Sequence, residues 1–136
     1  MTEVIEQEPI WKLQEAMGEL PQIELPTFHH FADGMYARVC FFAEGDAAVG
    51  KVQRREHFFV VTKGCMMVGN ERCEAGTVII GTPGSKRAVL ALEDSICMTV
   101  HRTNKKNISR IEKQLIMPDK TAKFTALNTL RAKELT

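Results

Sequence analysis

His57 and His101 are the side chains best suited to chemistry in this sequence, and Lys51, Gln53 and Arg87 are the polar residues spaced to join them. Imidazole can ligate a transition metal or accept a proton near neutral pH. Lysine and arginine hold anions, arginine through a planar fork of donors. Side chains two apart on a strand share a face, so Lys51 and Gln53 point together, as do His57, Phe59 and Val61. Arg87 and His101 read as lying on the two arms of a hairpin that turns at Glu93-Asp94-Ser95, directly opposite each other. No Ser-His-Asp order, phosphate loop or carboxylate pair stands out, and Glu56 points away from its neighbour His57. His29 and His30, beside Phe31, read as packing and turn residues rather than ligands.

The elements that must position these residues follow from periodicity. Between residues 35 and 102, β-rich runs over 36–42, 48–53, 57–62, 65–68, 77–80, 87–92 and 96–101 alternate with turn residues such as Gly45-Asp46, Gly69-Asn70 and Pro83-Gly84. Short strands in that number suit an antiparallel jelly-roll barrel. Before them, Pro9 suits the first turn of a short helix whose apolar positions Ile10, Leu13 and Met17 precede a stop at Gly18 and Pro21. Residues 21–34 read as an extended arm. After the barrel, Asn107 can cap a helix with Ile108, Ile111, Leu115 and Ile116 on one face, ended by Pro118. A last helix would carry Phe124, Leu127 and Leu130. The organisation expected is thus one domain, with a helix and arm over 1–34, the barrel over 35–102 and a helical extension over 103–136.

The barrel segment resembles the cupin superfamily, whose two motifs place ligands on facing strands. The family's first motif runs Gly, five residues, His-x-His, three or four residues, Glu, six residues, Gly. Counted back from Gly64, His57 stands at the Glu position, Lys51-Val52-Gln53 at His-x-His, and Gly45 at the opening Gly. The second motif runs Gly, five residues, Pro-x-Gly, two residues, His; here Gly76 and Gly84 are kept, with Thr82 for Pro and Arg87 for His. Over residues 22–116 the sequence is similar to short cupins encoded by bacteriophages, through His29-His30-Phe31-Ala32-Asp33-Gly34-Met35-Tyr36, Gly50-Lys51-Val52-Gln53, Glu56-His57, Pro83-Gly84-Ser85-Lys86-Arg87 and Thr99-Val100-His101.

The resemblance implies that Lys51, Gln53 and His57 face the barrel interior, and the hairpin reading then sets His101 near the place of the missing motif-two histidine. Three uses of that cluster stay open. In one, His57 and His101, with Gln53 and water, weakly hold a divalent Zn, Mn, Fe or Ni, since an amide oxygen replaces an imidazole. In another, Arg87, Lys51 and the histidines hold a small anionic or sugar-like molecule. In the last, the polar groups satisfy one another and function lies on the outer surface. The protein is expected to be a binding or assembly module, an accessory protein if phage-encoded; the alternative is a metal-dependent enzyme acting on a small sugar or carboxylate.

Composition narrows the setting. At 136 residues and 44% apolar, the chain supports one good core. Apolar stretches such as 58–61 and 88–92 are far too short to span a bilayer, and the acidic start lacks the features of a secretory signal. A cytoplasmic location, the host's if phage-encoded, is expected, with Cys40, Cys65, Cys73 and Cys97 as reduced thiols. Charge is uneven: residues 1–31 hold six acids and one lysine, while residues 102–136 hold nine bases and three acids. Oppositely charged ends are expected to lie on solvated faces or to meet each other, as across a homodimer, rather than to bind nucleic acid, because the basic stretch has acidic interruptions and only Phe124 as an aromatic.

Overall fold

The computed structural model describes residues 2–20 and 22–117, with side chains from residue 9 onward. Helix α1 (Thr2–Gly18) leads to β1 (Thr27–Ala32), β2 (Met35–Phe42), β3 (Ala47–Val49), β4 (His57–Lys63), β5 (Cys65–Val68), β6 (Glu71–Glu74), β7 (Val78–Gly81), β8 (Ala88–Ala91) and β9 (Ser95–Arg102), then α2 (Ile108–Leu115). One sheet has the order β1-β2-β9-β4-β7 and the other β3-β8-β5-β6. All strand pairs within these sheets are antiparallel. Their inner faces enclose a core that includes Phe42, Phe59, Val61, Met66 and Val68. The architecture is the mainly-β jelly roll that the short-strand pattern predicts.

Several local expectations change. The arm's second half is a true edge strand: β1 pairs with β2 across the two-residue turn Asp33-Gly34, both at positive φ (42° and 75°). Asp-Gly is the usual chemistry of such a hairpin, and that signal marks β1 in the sequence. Strand β6 was not expected, because Glu71, Arg72 and Glu74 face solvent and only Cys73 is buried. Pro9 lies inside α1 rather than in its first turn. A proline costs a helix one hydrogen bond, yet Glu3, Glu6, Gln7 and Glu8 ahead of it are good helix formers, and acids suit a helix start.

The largest correction concerns the expected hairpin carrying Arg87 and His101. Strands β8 and β9 belong to different sheets, so the 92–94 connection crosses the sandwich instead of reversing within one sheet. Ser95 fixes the crossing: its hydroxyl accepts from the Cys65 amide at 3.1 Å and lies 2.8 Å from the Glu93 carbonyl. Asp94 accepts the Glu44 amide at 2.9 Å.

After the barrel, the Asn107 side chain caps α2 by accepting from the Arg110 amide at 3.2 Å. The helix buries Ile111 and Leu115 with Tyr36. It ends at Leu115, and Ile116 bridges back to Gln53 in extended form. At the other end, the Lys86 ammonium lies 4.1 Å from the centre of the Trp11 ring, tying α1 to the loop between β7 and β8. The stripe of Phe124, Leu127 and Leu130 lies outside the described residues.

Gly64, between β4 and β5, adopts φ of 83°, and a Cβ there would run into the Asp94 carbonyl and Ser95. Both the conformation and the space exclude a side chain. Gly64→Ala is expected to destabilise the fold by about 2–4 kcal/mol in urea unfolding, while Gly69→Ala, at φ of 60° with open space around it, loses only about 1 kcal/mol. Equal losses at the two sites would remove the crowding argument.

Candidate functional site

Between the sheets lies a cavity of about 470 Å³, lined by all five residues singled out from the sequence: Lys51, Gln53, His57, Arg87 and His101. Four elements position them. His57 opens β4, His101 is near the end of β9, Arg87 directly precedes β8, and Lys51 and Gln53 lie on the segment after β3. Gln53 is held there by backbone bonds from its amide to the Ser85 carbonyl (3.0 Å) and from the Gly84 amide to its own carbonyl (2.7 Å).

The polar groups form an ordered set. His57 donates from Nδ1 to the Arg55 carbonyl at 3.1 Å, which leaves its Nε2 lone pair facing Arg87 Nη1 at 3.5 Å. Gln53 donates from Nε2 to the Lys51 carbonyl at 3.2 Å, so its Oε1 accepts from His101 Nε2 at 3.0 Å. His101 Nδ1 therefore carries a lone pair, and that atom is buried without a partner. The two imidazoles stack at 4.8 Å between centroids and 15° between planes. His57 rests on β7 at Gly81, its register partner, where a Cβ would collide with the ring. Lys51 pairs with Glu112 of α2 at 2.6 Å.

Burial keeps both imidazoles neutral. Desolvation is the main cause in each, lowering the His57 pKa and taking His101 to about 4; for His101 the neighbouring His57 and Arg38 add to it. Burial likewise lowers the Arg87 pKa from its usual value. Desolvation raises the Tyr36 hydroxyl to about 12, so it stays protonated; His29 Nδ1 lies 2.6 Å from it. The His29 ring also stacks on that of Tyr36, 5.8 Å between centroids.

Arg38 is the residue that sequence reasoning missed. It lines the cavity, and its Nε is buried without a hydrogen-bond partner. The signal was the two-residue period of β2, where Tyr36, Arg38, Cys40 and Phe42 share the inward face. A cation set among inward apolar residues is the departure to look for.

The metal reading does not fit this donor set. Lone pairs of two nearly parallel stacked rings lie in separate planes and do not converge on one ion about 2.0–2.1 Å from each nitrogen. The His57 lone pair also faces a guanidinium, while His101 Nε2 is committed as a donor to Gln53. Among the described residues no group of three or more His, Cys, Asp or Glu is placed to hold a metal ion.

No protein-family model and no curated protein matches the sequence. Solved structures do match the fold. KdgF from Halomonas sp. aligns at a TM-score of 0.54 with 15% identity, over 64% of this chain and 87% of that one. An RmlC-like cupin from Shewanella frigidimarina gives 0.53 and 16%, over 65% and 84%. A double-stranded β-helix protein from Klebsiella pneumoniae gives 0.52 and 14%, over 68% and 84%. The fold is therefore cupin-like, a double-stranded β-helix, and likeness at this identity speaks for the fold alone.

The depressed histidines set a pH dependence. Well above pH 6.5 both folded and unfolded chains hold His101 neutral. Below 6.5 the unfolded chain takes up a proton that the folded chain refuses, so stability falls until about pH 4, where the folded form also titrates. The loss from His101 is on the order of 3 kcal/mol. His101→Gln, which can still donate to Gln53, should flatten the decline between pH 6.5 and 4 in urea unfolding; an unchanged slope would show that His101 titrates normally.

Proposed function

We propose that this protein is a small cupin-like binding module whose cavity holds a small carboxylate-bearing molecule. The observation that carries the reading is the placement of Arg38 and Arg87 in one apolar-walled cavity, with no carboxylate partner for either among the described residues. Both guanidiniums are half-buried, so leaving them without a counter-charge carries a cost, and a ligand carboxylate both offsets that cost and satisfies the buried, unpartnered Arg38 Nε. Neutral imidazoles beside the cations add hydrogen-bonding capacity for a hydroxyl on the same ligand. The glutamate of α2 does not compete, because Lys51 holds it at 2.6 Å. The likeness over residues 22–116 to phage-encoded cupins supports an accessory role in a host cytoplasm.

Titration calorimetry against small hydroxy acids, dicarboxylates and neutral sugars tests this. A carboxylate ligand is expected to bind, and Arg38→Met or Arg87→Met to weaken it about 10- to 100-fold, the effect of one charge-assisted hydrogen bond. Tight binding of a neutral sugar, unaffected by either substitution, would overturn the reading.

The module is further proposed to work as a homodimer. Strand alternation turns Phe41 of β2, Met98 of β9, Phe58 of β4 and Val78 and Ile80 of β7 onto the outer face of the five-stranded sheet, where Val78 and Ile80 are 57% and 60% exposed. Charges on these strands enter that face only near strand ends, at Lys63 and Arg102. An uncharged face fits a second copy of itself better than it fits a charged partner. Light scattering should report two chains for the native protein and one for Phe58→Lys; a native monomer at micromolar concentration would remove the dimer.

A further inference from the structure

Strands β2 and β9 run antiparallel in a register that sets Cys40 directly opposite Cys97. Both side chains point inward, both line the cavity, and they are only 9% and 6% exposed. Directly opposed residues in an antiparallel pair have Cα atoms about 4.5 or 5.5 Å apart, according to the type of pair. Either spacing lies within the range a disulfide spans. None of the four cysteines is in a disulfide, but Cys65 and Cys73 lie on β5 and β6 of the other sheet and do not line the cavity.

We infer that Cys40 and Cys97 form a two-electron redox site in the cavity wall, at which a small hydroperoxide oxidises Cys40 and Cys97 closes a cross-strand disulfide. The Cys40 thiolate attacks the terminal peroxide oxygen. The O–O bond breaks, the departing alkoxide takes a proton and leaves as alcohol, or as water from hydrogen peroxide, and Cys40 becomes a sulfenic acid. The Cys97 sulfur then attacks the Cys40 sulfur, gives up its proton and releases water. Overall two thiols lose two electrons and one peroxide is reduced.

The surroundings assign the order of the two cysteines. A hydrogen bond from Cys97 holds the Cys40 thiol down to about 6 against burial, with positive Arg38 and the Thr27 hydroxyl, 3.7 Å from its sulfur, adding to it. The same bond, with burial, pushes Cys97 up. Cys40 is thus the nucleophile and Cys97 the resolving thiol. In a reducing cytoplasm such a disulfide is transient, as suits a sensor rather than a structural bridge. This site does not depend on the carboxylate reading, since a cavity that binds no carboxylate still presents both thiols.

The test is oxidation of the fully reduced protein by dilute hydrogen peroxide at pH 7. Two of the four thiols should disappear, at least tenfold faster than those of a small free thiol; peptide mapping should find Cys40 linked to Cys97, and a dithiol reductant should reverse the change. Cys97→Ser should leave a sulfenic acid on Cys40 that dimedone traps, and Cys40→Ser, or Cys40→Ala if that variant folds better, should remove the fast phase. The wild-type rate should level off above pH 7, where the free thiol's rate still rises. Oxidation spread over all four cysteines, dimedone capture on Cys97, or a rate no faster than the free thiol would overturn the inference. So would uptake of arsenite or a soft metal ion by the pair without any response to peroxide, which would make it a dithiol ligand instead.

Discussion

Strand β9 is paired along both edges, with β2 on one side and β4 on the other, and the register of these two ladders decides what faces the cavity. The β2 ladder sets Tyr36 opposite His101 and Cys40 opposite Cys97. The β4 ladder brings the opening of β4 alongside the end of β9, where the His57 ring stacks on that of His101. A slip of one residue in either ladder would turn these side chains out and bring Phe41, Met98 or Phe58 inward. The core residues Phe42, Phe59, Val61 and Cys97 hold the register, because their burial is lost in any other pairing. Apolar packing therefore aligns the polar site without touching its polar atoms.

Given that alignment, the polar groups in the cavity have little freedom. Buried polar atoms must find partners, and low dielectric makes a missing partner expensive. Gln53 acts as the pivot: its amide nitrogen is committed to a backbone carbonyl, so its oxygen must accept, and this sets the tautomer of His101. A third imidazole at that position could have ligated a metal. The amide instead makes His101 a donor and leaves Arg87 to face His57. The result is a cavity in which Lys51 is paired with Glu112 while Arg38 and Arg87 have no carboxylate partner among the described residues, the feature on which the proposed anion binding rests.

Two proposals concern the same interior: binding of an anion through the guanidiniums and imidazoles, and oxidation of the opposed cysteines of β2 and β9. Arg38 links them, since it follows Tyr36 and precedes Cys40 on one inward face and raises the local positive potential at both. A disulfide between Cys40 and Cys97 would pin two strands that also carry Arg38 and His101, so oxidation and occupancy of the cavity are physically placed to influence each other.

Much of this was legible in the sequence because it depends on short-range rules. Period-two alternation and turn residues marked seven of the strands, the Asn107 cap marked α2, and motif spacing pointed to Lys51, Gln53, His57 and Arg87, which line one cavity; His101 lines it too, though the hairpin that suggested it does not form. Strand β6 was hidden, because a charged edge strand with one inward residue has no hydrophobic period; β1 was announced only by Asp33-Gly34. What tertiary structure alone decided is which strands pair over long range. Arg87 and His101 lie close in the chain on either side of a tight connection, yet the connection crosses between sheets because β8 pairs with β5 while β9 pairs with β2 and β4. The stacking of His57 on His101, the lone pair turned toward Arg87, and the meeting of Cys40 with Cys97 all follow from those pairings. Local sequence cannot encode them, since the energy that selects a partner strand is the burial of side chains contributed by the whole sandwich.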